Sequence, residues 1–424
     1  MKKQCKGLQE KESTKHTLII NYPNLSAGGI EVGLVSLIRF FLNEGHRVIW
    51  ITTTHHLNEV AFKGIVDDPR LEIVISEKWN RYFSIPHIHF RKEEQVIMIT
   101  CRAMQYVVSE GMRRVAGTKE FKHFLLVAHF SGTEYYPDHY FKSKWGHEIA
   151  YRFWRTVVHR LVENDCLRGF SLKHLECYED YYQVSISSKK EKLMPDFNSN
   201  IVFDMKNAQN KSKERKDKFV ITTCTRFEFP HKAYVLGLVD SFNTIKAKYP
   251  QAVLRIIGYG NGEAELKEKI CQLAENVQRD IELVGMVSHD ELERYYKDSH
   301  LIIGLAGAII DGAQSGIPSL VVRHYCCDCE TYGFFEDAFE KTLSEEKGEN
   351  VIPFIESCIT MDQEEYIDHA QKGFMARAAF LNADPDSFFK QNTDKNEITV
   401  RFPWESALGR ILFIITELKN RAER

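Results

Sequence analysis

The sequence Phe219-Val-Ile-Thr-Thr-Cys224 is a short apolar and β-branched run, followed by Arg226 and by a helical pattern near Ala233 to Lys248. Such a run predicts a buried strand at the start of an α/β unit. The alternation continues to Val322, with further strands predicted at Ala252–Ile257, Ile281–Val284, Leu301–Gly304 and Pro318–Val322. Strands that alternate with helices form parallel sheets through right-handed crossovers. This half of the chain is therefore predicted to be a doubly wound domain.

The first half of the chain repeats this alternation. Ile30–Asn43 has apolar residues at helical spacing, and Gly45 ends the predicted helix. Strands are predicted at Thr17–Asn21, Arg47–Thr53, Leu71–Ile75, Gln95–Thr100, His123–Ala128 and Tyr182–Ile186. The fold class is therefore α/β, with two Rossmann-like doubly wound domains that face each other across a cleft.

The domain limits follow from changes in composition. We expect residues 1–16 to be a flexible tail, residues 17–205 the N-terminal domain and residues 218–400 the C-terminal domain. The polar stretch 206–217 is predicted to be a solvated linker. Residues 401–424 contain an amphipathic pattern from Trp404 to Arg421, which predicts a C-terminal helix that crosses back over both domains.

Composition and charge exclude several classes of protein. The chain has 424 residues, of which 43% are hydrophobic and 27% charged, enough for two ordinary cores. Neither a signal peptide nor a membrane-spanning run is evident, which predicts a cytoplasmic protein. Residues 1–217 hold 33 Lys and Arg against 26 Asp and Glu, and the rest hold 23 against 33. This split does not resemble a nucleic-acid binder; it is compatible with an anionic acceptor or membrane surface beside the first domain, or with solvated faces alone.

Ten cysteines are scattered along the chain without the spacing of a disulfide framework. Cys326, Cys327 and Cys329 form a cluster, but no second ligand pair follows at the spacing of a zinc finger. We interpret them as free thiols and predict no metal site. Asp384-Pro-Asp386 lies in a polar stretch far from any strand end and is interpreted as a surface turn.

Three groups of candidate binding residues follow successive strands of the second half. Arg226 and Lys232 come after the first strand, Gly258 and Gly260 after the second, and Gly304, Gly307 and Asp311 after a later one. Ligands bind beyond the carboxyl ends of parallel strands. Cations and a helix N-terminus suit a diphosphate, glycines allow close approach of the backbone, and a carboxylate can accept ribose hydroxyls. Taken singly, each group also fits an ordinary turn.

The second half resembles glycosyltransferase family 4, the retaining enzymes of the GT-B fold. The resemblance runs through Val220–Arg226, Lys232, Ala252–Gly260, Ile281–Gly285 and Asp311-Gly-Ala-Gln-Ser-Gly316-Ile-Pro318. It implies that Arg226 and Lys232 bind the donor's diphosphate as catalytic residues and that Asp311 binds its ribose. The family usually has two glutamates eight positions apart, whereas this chain has Ile303 and Asp311. The chain therefore looks like an atypical member that lacks the first glutamate.

The first half resembles the same family more loosely. Ala27-Gly28-Gly29-Ile30 and the apolar helix after it match the family's N-terminal glycine loop, which implies that Gly28 and Gly29 lie near the donor phosphates. Phe124–His129 matches a strand that ends in an active-site histidine, which makes His129 the third catalytic candidate. A histidine at a strand end is otherwise more often structural.

Together these features predict a retaining, metal-independent glycosyltransferase without a cofactor. The expected donor is a nucleoside-diphosphate sugar, with a UDP-sugar favoured, and the expected acceptor is a saccharide or lipid-linked glycan of a surface polysaccharide. The aromatic and basic stretch Tyr135–Leu161 could dock such an acceptor or contact a membrane peripherally, or pack within the first domain. The alternatives are an inactive nucleotide-binding or scaffold subunit and a nucleotide-sugar epimerase or hydrolase.

Overall fold

The structure, a computed structural model, describes residues 16–25, 29–55, 57–60, 62–76, 88–118, 120–128, 144–195, 202–342, 344, 346–380, 384–390 and 411. Gly28, His129 and nearly all of the predicted helix Trp404–Arg421 lie outside these residues. Of the helices described, none combines the length and the apolar character that a membrane crossing requires.

The first half of the chain forms a six-stranded parallel sheet. Its strands are β1 (His16–Asn21), β2 (Arg47–Thr52), β3 (Leu71–Ile75), β4 (Gln95–Thr100), β5 (Glu120–Val127) and β6 (Leu167–Gly169). Their order in the sheet is β3-β2-β1-β4-β5-β6. The helices are α1 (Gly29–Asn43), α2 (Ala103–Ser109), α3 (Met112–Ala116), α4 (Lys144–Glu163) and α5 (Leu172–Tyr182). The chain reverses its direction of winding between β1 and β4, which is a topological switch point.

The second half forms a seven-stranded sheet. Its strands are β7 (Phe219–Cys224), β8 (Ala252–Ile257), β9 (Ile281–Gly285), β10 (Leu301–Gly304), β11 (Ser319–Val322), β12 (Glu330–Phe334) and β13 (Glu349–Asn350). The order is β13-β12-β11-β10-β7-β8-β9, and only β12 and β13 are antiparallel to their neighbours. The parallel part again has a switch point, here between β7 and β10. Two doubly wound units are thus confirmed.

The helices of the second half follow its strands in alternation. They are α6 (Met205–Glu214), α7 (Tyr234–Lys248), α8 (Glu263–Cys271), α9 (Glu275–Gln278), α10 (His289–Lys297), α11 (Gly307–Gln314), α12 (Phe335–Ala338), α13 (Val351–Thr360), α14 (Gln363–Phe380) and α15 (Pro385–Phe388). Leu301 and Ile303 of β10 pack in a cluster with residues of α7, whereas Ile302 packs with Tyr296 of α10. Successive side chains of a strand point to opposite faces. Helices α7 and α10 therefore cover opposite faces of this sheet.

The strand predicted at Tyr182–Ile186 is wrong. Tyr182 ends α5, and Gln183 caps that helix in the left-handed conformation. Leu175, Tyr178 and Tyr182 are buried at spacings of three and four, which is helical periodicity. The aromatic residues suggested a strand, but they pack from a helix. The edge strand β6, only three residues long, was missed.

The polar stretch 206–217 is not a solvated linker. Most of it belongs to α6, which starts at Asp204, whose side chain caps the helix. Lys211 is buried and donates to the carbonyl oxygens of Tyr296, Lys297 and Ser299 at 2.7, 2.7 and 2.9 Å. Arg215 is buried and donates to four carbonyls at the end of α13: Cys358, Ile359, Met361 and Asp362. Helix ends leave such carbonyls without partners, and the two cations satisfy them.

The chain returns to the N-terminal sheet after α14. The buried guanidinium of Arg168 donates to the carbonyl oxygens of Phe388 and Lys390, both at 2.6 Å. The rings of Phe388 and Phe389 pack in the same cluster as residues of α1 and β5. Asp384 and Asp386 are exposed at the start of α15, where the Asp384 side chain caps the helix. A crossing back of the chain is therefore seen at residues 384–390.

Replacement of Arg215 by methionine should destabilise the protein by about 3 kcal/mol, because four buried carbonyl oxygens lose a charged donor. The measurement is urea denaturation followed by circular dichroism. Lys213→Met is the matched control, since Lys213 is exposed on the same helix. Equal losses in the two variants would contradict the role assigned to Arg215.

Candidate functional site

The candidate binding residues of the second half meet at one edge of its sheet. Arg226 follows β7, Gly258 and Gly260 follow β8, and Gly307 begins the helix after β10. Strands β8, β7 and β10 are adjacent, in that order. Their carboxyl ends lie side by side and flank the switch point, which is where doubly wound sheets bind ligands.

The loops after β7 and β8 are held together by their backbones. The N–H of Phe227 donates to the carbonyl of Tyr259, and the N–H of Gly262 donates to the carbonyl of Phe227, both at 2.8 Å. Gly258 and Gly260 both have φ +152°, a region that favours glycine. A Cβ at position 258 would collide with the carbonyl oxygen of Thr225, and one at 260 would lie 2.7 Å from that of Phe227.

These contacts explain the two glycines without a ligand. They let the loop after β8 lie directly against residues 225–228, and this contact fixes the backbone that carries Arg226. Whether Gly258 and Gly260 also contact a donor stays a prediction.

Two cations lie close together after β7. The Arg226 side chain is 33% exposed, and its Nη1 lies 3.1 Å from Glu228 Oε1. Its Nε is buried and has no hydrogen-bond partner within the described part of the chain. The pKa of Lys232 is lowered, first by burial and then by the charge of Arg226. An anion bound between the two side chains would favour the charged form of Lys232 and so oppose both causes of its lowered pKa.

Cys224 at the end of β7 connects these cations to Asp311. The pKa of its thiol is raised to about 12, mainly by burial and also by the Asp311 carboxylate, while Lys232 opposes the shift. The pKa of Tyr296 is likewise raised, first by burial, with Asp311 among the other causes. Charges act at such strength only over short distances in a protein interior. Lys232 and Asp311 thus both act on the end of β7, and Arg226 acts on Lys232.

Two residues, Leu305 and Ala306, separate the end of β10 from the start of helix α11. Ala306 joins the two elements with φ +49° and ψ −121°, a conformation that is strained for a residue with a side chain. Ala306 and Gly307 are exposed, and no atom lies within 4 Å of a Cβ built on Gly307. The first N–H groups of a helix have no partner within it and attract anions. Gly304 is buried at the strand end, so its own approach to a ligand stays a prediction.

Ile303 stands where counting placed the family's first glutamate. It lies within β10, and its side chain is fully buried in the core with Tyr234 and Leu301. A side chain at this position points into the protein. The short turn through Ala306 leaves backbone N–H groups, rather than a carboxylate, at the end of β10.

The start of α1 approaches the cations from the N-terminal domain. Gly29 is exposed there, and Glu31, only 4% exposed, is the least of the charges that affect the pKa of Lys232. Two further contacts join the domains: Lys63 Nζ lies 3.6 Å from Glu291 Oε1, and Asn58 Nδ2 lies 3.7 Å from Met286 Sδ. The predicted residues Gly28 and His129 lie outside the described residues.

Sequence reasoning missed three groups at this site. Glu228 bridges to Arg226, Glu31 acts on Lys232, and both Lys232 and Asp311 act on Cys224. The position of Glu228, two residues after Arg226, was a usable signal. Nothing in the sequence indicated a role for Glu31, because it acts on the pKa of Lys232 from the other domain.

Solved structures with a similar fold cover most of this chain. HepE from Anabaena, in complex with UDP and glucose, matches with a TM-score of 0.53 and 13% identity, over 86% of this chain and 95% of that one. A glycosyltransferase from Rickettsia africae matches with 0.51 and 14%, over 89% and 96%. The N-terminal domain of a Candida albicans trehalose-6-phosphate phosphatase matches with 0.52 and 10%, over 95% and 100%. The GT-B fold is thereby confirmed.

A family match covers part of the second half of the chain. Residues 204–307 match the family described as glycosyl transferases group 1. This part of the chain is a domain of that glycosyltransferase family, and the resemblance to glycosyltransferase family 4 is confirmed for it. The match includes Arg226 and Lys232 and ends at Gly307, before Asp311. A comparison with the sequences of curated proteins found no match.

Replacement of Gly258 by alanine should weaken the binding of a nucleoside diphosphate at least tenfold, because the Cβ would force the loop after β7 away and displace Arg226. Isothermal titration calorimetry with UDP and GDP measures this loss. Gly117→Ala is the control, since Gly117 also has a left-handed φ, +63°, but no atom within 4 Å of a built Cβ. Unchanged binding by Gly258→Ala would show that loop packing does not position the site.

Proposed function

We propose that the protein is a retaining glycosyltransferase that transfers a sugar from a nucleoside diphosphate to a glycan acceptor. The observation that carries this proposal is the arrangement at the switch point: Arg226 and Lys232 on one side and the N-terminus of α11 on the other, within a glycosyl transferases group 1 domain. A diphosphate is the anion whose size and charge suit two cations and a helix N-terminus together.

The chemistry assigned to these groups is stabilisation of the leaving group. Transfer breaks the bond between the sugar's anomeric carbon and the diphosphate oxygen, and the departing diphosphate gains negative charge. Fixed cations and N–H groups that face this oxygen lower the barrier, because they need no rearrangement during the reaction. Lys232 is half-buried, so its charge acts in a medium of low dielectric and is more effective than one in water.

Asp311 is proposed to hold the ribose. It lies one turn into α11, and its charge acts on Cys224 and Tyr296. A carboxylate can accept hydrogen bonds from both ribose hydroxyls. Aspartate is one methylene shorter than the family's usual glutamate. Because the charge of Asp311 acts on Cys224 at the end of β7, this shorter side chain is compatible with a ribose bound near that strand end.

We favour a UDP-sugar as donor, since the Anabaena protein with the same fold is described in complex with UDP and glucose. Gly28, Gly29 and His129 are proposed to contact the donor phosphates and sugar from the N-terminal domain, and Gly304 and Gly307 from the C-terminal one. No cofactor or metal ion is part of this proposal: the two cations supply the positive charge that a metal ion provides in other enzymes.

The acceptor is proposed to be a saccharide or lipid-linked glycan of a surface polysaccharide. Trp145 and Ile149 are exposed one turn apart on α4, next to the exposed cations Lys144 and Arg152. Aromatic and basic side chains on one helix face suit a membrane interface. We therefore include a peripheral membrane contact through the N-terminal domain, at the cytoplasmic face.

The limits of the domains belong to the same proposal. The sequence predicts an N-terminal domain at residues 17–205 and a C-terminal domain at residues 218–400, with the final helix packed across both, and we propose one change to these limits. Because α6 is buried against α10 and α13, we assign it to the C-terminal domain and place the connection before Met205.

The double variant Arg226→Ala, Lys232→Ala should lose nucleoside-diphosphate binding by at least 100-fold, since hydrogen bonds to charged groups contribute about 1.5–3 kcal/mol each. Calorimetry with UDP and GDP measures binding, and release of nucleoside diphosphate from UDP-glucose, UDP-N-acetylglucosamine and GDP-mannose measures turnover. Lys248→Ala, Lys267→Ala is the control, because both lysines are exposed on the same domain. Retained binding in the site variant would contradict the proposed diphosphate site.

The same measurements separate the enzyme from a binding subunit. An enzyme hydrolyses its donor slowly in water and faster with an acceptor. Tight binding with no turnover of any nucleotide sugar, even with acceptors present, would favour the scaffold alternative.

Nucleoside-diphosphate binding should weaken as the pH rises, from a lower pH than the titration of an ordinary lysine would give. Burial and the charge of Arg226 lower the pKa of Lys232, so the free protein loses this positive charge at a lower pH than an ordinary lysine does. The phosphate favours charged Lys232, and binding therefore takes up a proton in that range. Calorimetry in buffers of different ionisation enthalpy measures the uptake. Lys232→Arg should abolish it, and an identical pH dependence in that variant would exclude Lys232 as its source.

A further inference from the structure

An exposed aromatic side chain lies next to the proposed diphosphate site, on the loop between β11 and β12. Tyr325 is 64% exposed. Its backbone N–H donates to the carbonyl of His231, 2.9 Å away, and His231 directly precedes Lys232. Strand β11 is parallel to β10 and adjacent to it, so this loop lies at the same edge of the sheet as Arg226 and Gly307.

Three rings are grouped at this position. The ring centroids of His231 and Tyr325 are 4.8 Å apart. His324 lies 5.9 Å from His231 and 5.2 Å from Tyr325. The phenol ring therefore does not stand alone on the surface: two imidazoles support it, while more than half of its area remains open to a ligand.

The loop that carries Tyr325 is held firmly. At its base Arg323 Nη1 lies 2.8 Å from Glu330 Oε2, and the Arg323 N–H donates to the Glu330 carbonyl at 2.8 Å. Its far side rests on α7, where a Cβ at Gly237 would collide with the Cys327 carbonyl oxygen. Cys329 is fully buried. An exposed ring on a fixed loop loses little conformational freedom when a ligand stacks on it.

The backbone of Tyr325 is strained. Its φ is +51°, in the left-handed region that favours glycine and asparagine and is rare for bulky side chains. Packing does not account for a tyrosine here, because the side chain is mostly exposed. Strained residues of this kind cluster at ligand sites, where the strain holds a side chain in its working position.

The direction of the bound donor indicates which part of it reaches Tyr325. Gly312, next to Asp311 on α11, lies against Ile302, which packs with α10 on one face of the sheet, while His231 leads into α7, which covers the other face. With the ribose at Asp311 and the diphosphate at Arg226 and Lys232, the group beyond the diphosphate extends toward α7. That group is the sugar.

We propose that Tyr325, supported by His231 and His324, is a stacking platform for the ring of the donor's sugar. The proposal rests on the proposed donor site. A sugar ring has an apolar C–H face and polar edges, which suits an aromatic surface beside charged groups. The Tyr325 ring also supplies a contact to the sugar. The family's first glutamate is expected at position 303, but this chain has a buried isoleucine there.

The test compares dissociation constants for UDP and UDP-glucose, and for GDP and GDP-mannose, in wild type, Tyr325→Asn and Tyr325→Phe. Asparagine tolerates the left-handed backbone, so it removes the ring without disturbing the loop. We expect Tyr325→Asn to weaken the nucleotide sugar of the preferred pair about five- to tenfold, and the nucleoside diphosphate less than twofold. Tyr325→Phe should bind both as wild type does. Met375→Ala, at a large exposed side chain on α14 of the same domain, should change neither constant.

If Tyr325→Asn leaves the ratio of the dissociation constants for nucleotide sugar and nucleoside diphosphate as it is in wild type, that result contradicts the proposed stacking of the sugar on Tyr325. This holds whether both constants change together or neither changes. Failure of wild-type protein to bind any nucleoside diphosphate has a different meaning. It overturns the proposed function, and the platform with it.

Discussion

The repulsion between two half-buried cations is the interaction on which this account depends. Arg226 and Lys232 lie close enough for the charge of one to lower the pKa of the other, and burial adds to the cost of keeping both charged. The described protein offsets this only in part, through Glu228 beside Arg226 and the more remote Glu31. A site that holds two positive charges under such strain is organised for an anion with two negative centres.

The rest of the C-terminal domain keeps this pair in place. Strand order brings the ends of β7, β8 and β10 together, and glycines after β8 let two loops pack backbone to backbone beneath Arg226. Farther away, Lys211 and Arg215 of α6 bind the carbonyl ends of α10 and α13. Burial lowers the pKa of Lys211 to about 8, and the three carbonyl oxygens around it favour its charged form. The cations thus have two separate roles: those on α6 stabilise the fold, and those after β7 are proposed to bind the donor's diphosphate.

Much of the fold could be predicted from the sequence, because buried parallel strands are continuous apolar runs. β3, β4, β7, β8 and β10 occur at the predicted residues. The strand predicted at Tyr182–Ile186 and the linker predicted at 206–217 were wrong, because tertiary contacts there decide the structure and local composition does not. The aromatic residues before Gln183 pack at helical spacing, and the lysines and arginines of α6 are buried because helix ends need donors. Short elements such as β6 have too few residues to show the periodic pattern of apolar side chains from which strands and helices are predicted.

The candidate site was predictable in its residue types and only partly in its geometry. Arg226, Lys232 and Asp311 follow strand ends, a position that sequence can give, and the charges of Lys232 and Asp311 both act on Cys224. Sequence could not show that Ile303 lies inside the core, since counting from a family pattern ignores the short turn through Ala306. It also could not show the exposed ring of Tyr325, whose position depends on contacts with α7 and His231.

A crystal structure of the protein with the nucleoside diphosphate that binds most tightly would test the central claim most directly. The account predicts phosphate oxygens at hydrogen-bond distance, about 2.7–3.2 Å, from the side chains of Arg226 and Lys232 and from the N–H of Gly307. A nucleotide bound at the other switch point, beyond β1 and β4, with both cations free of phosphate, would contradict it.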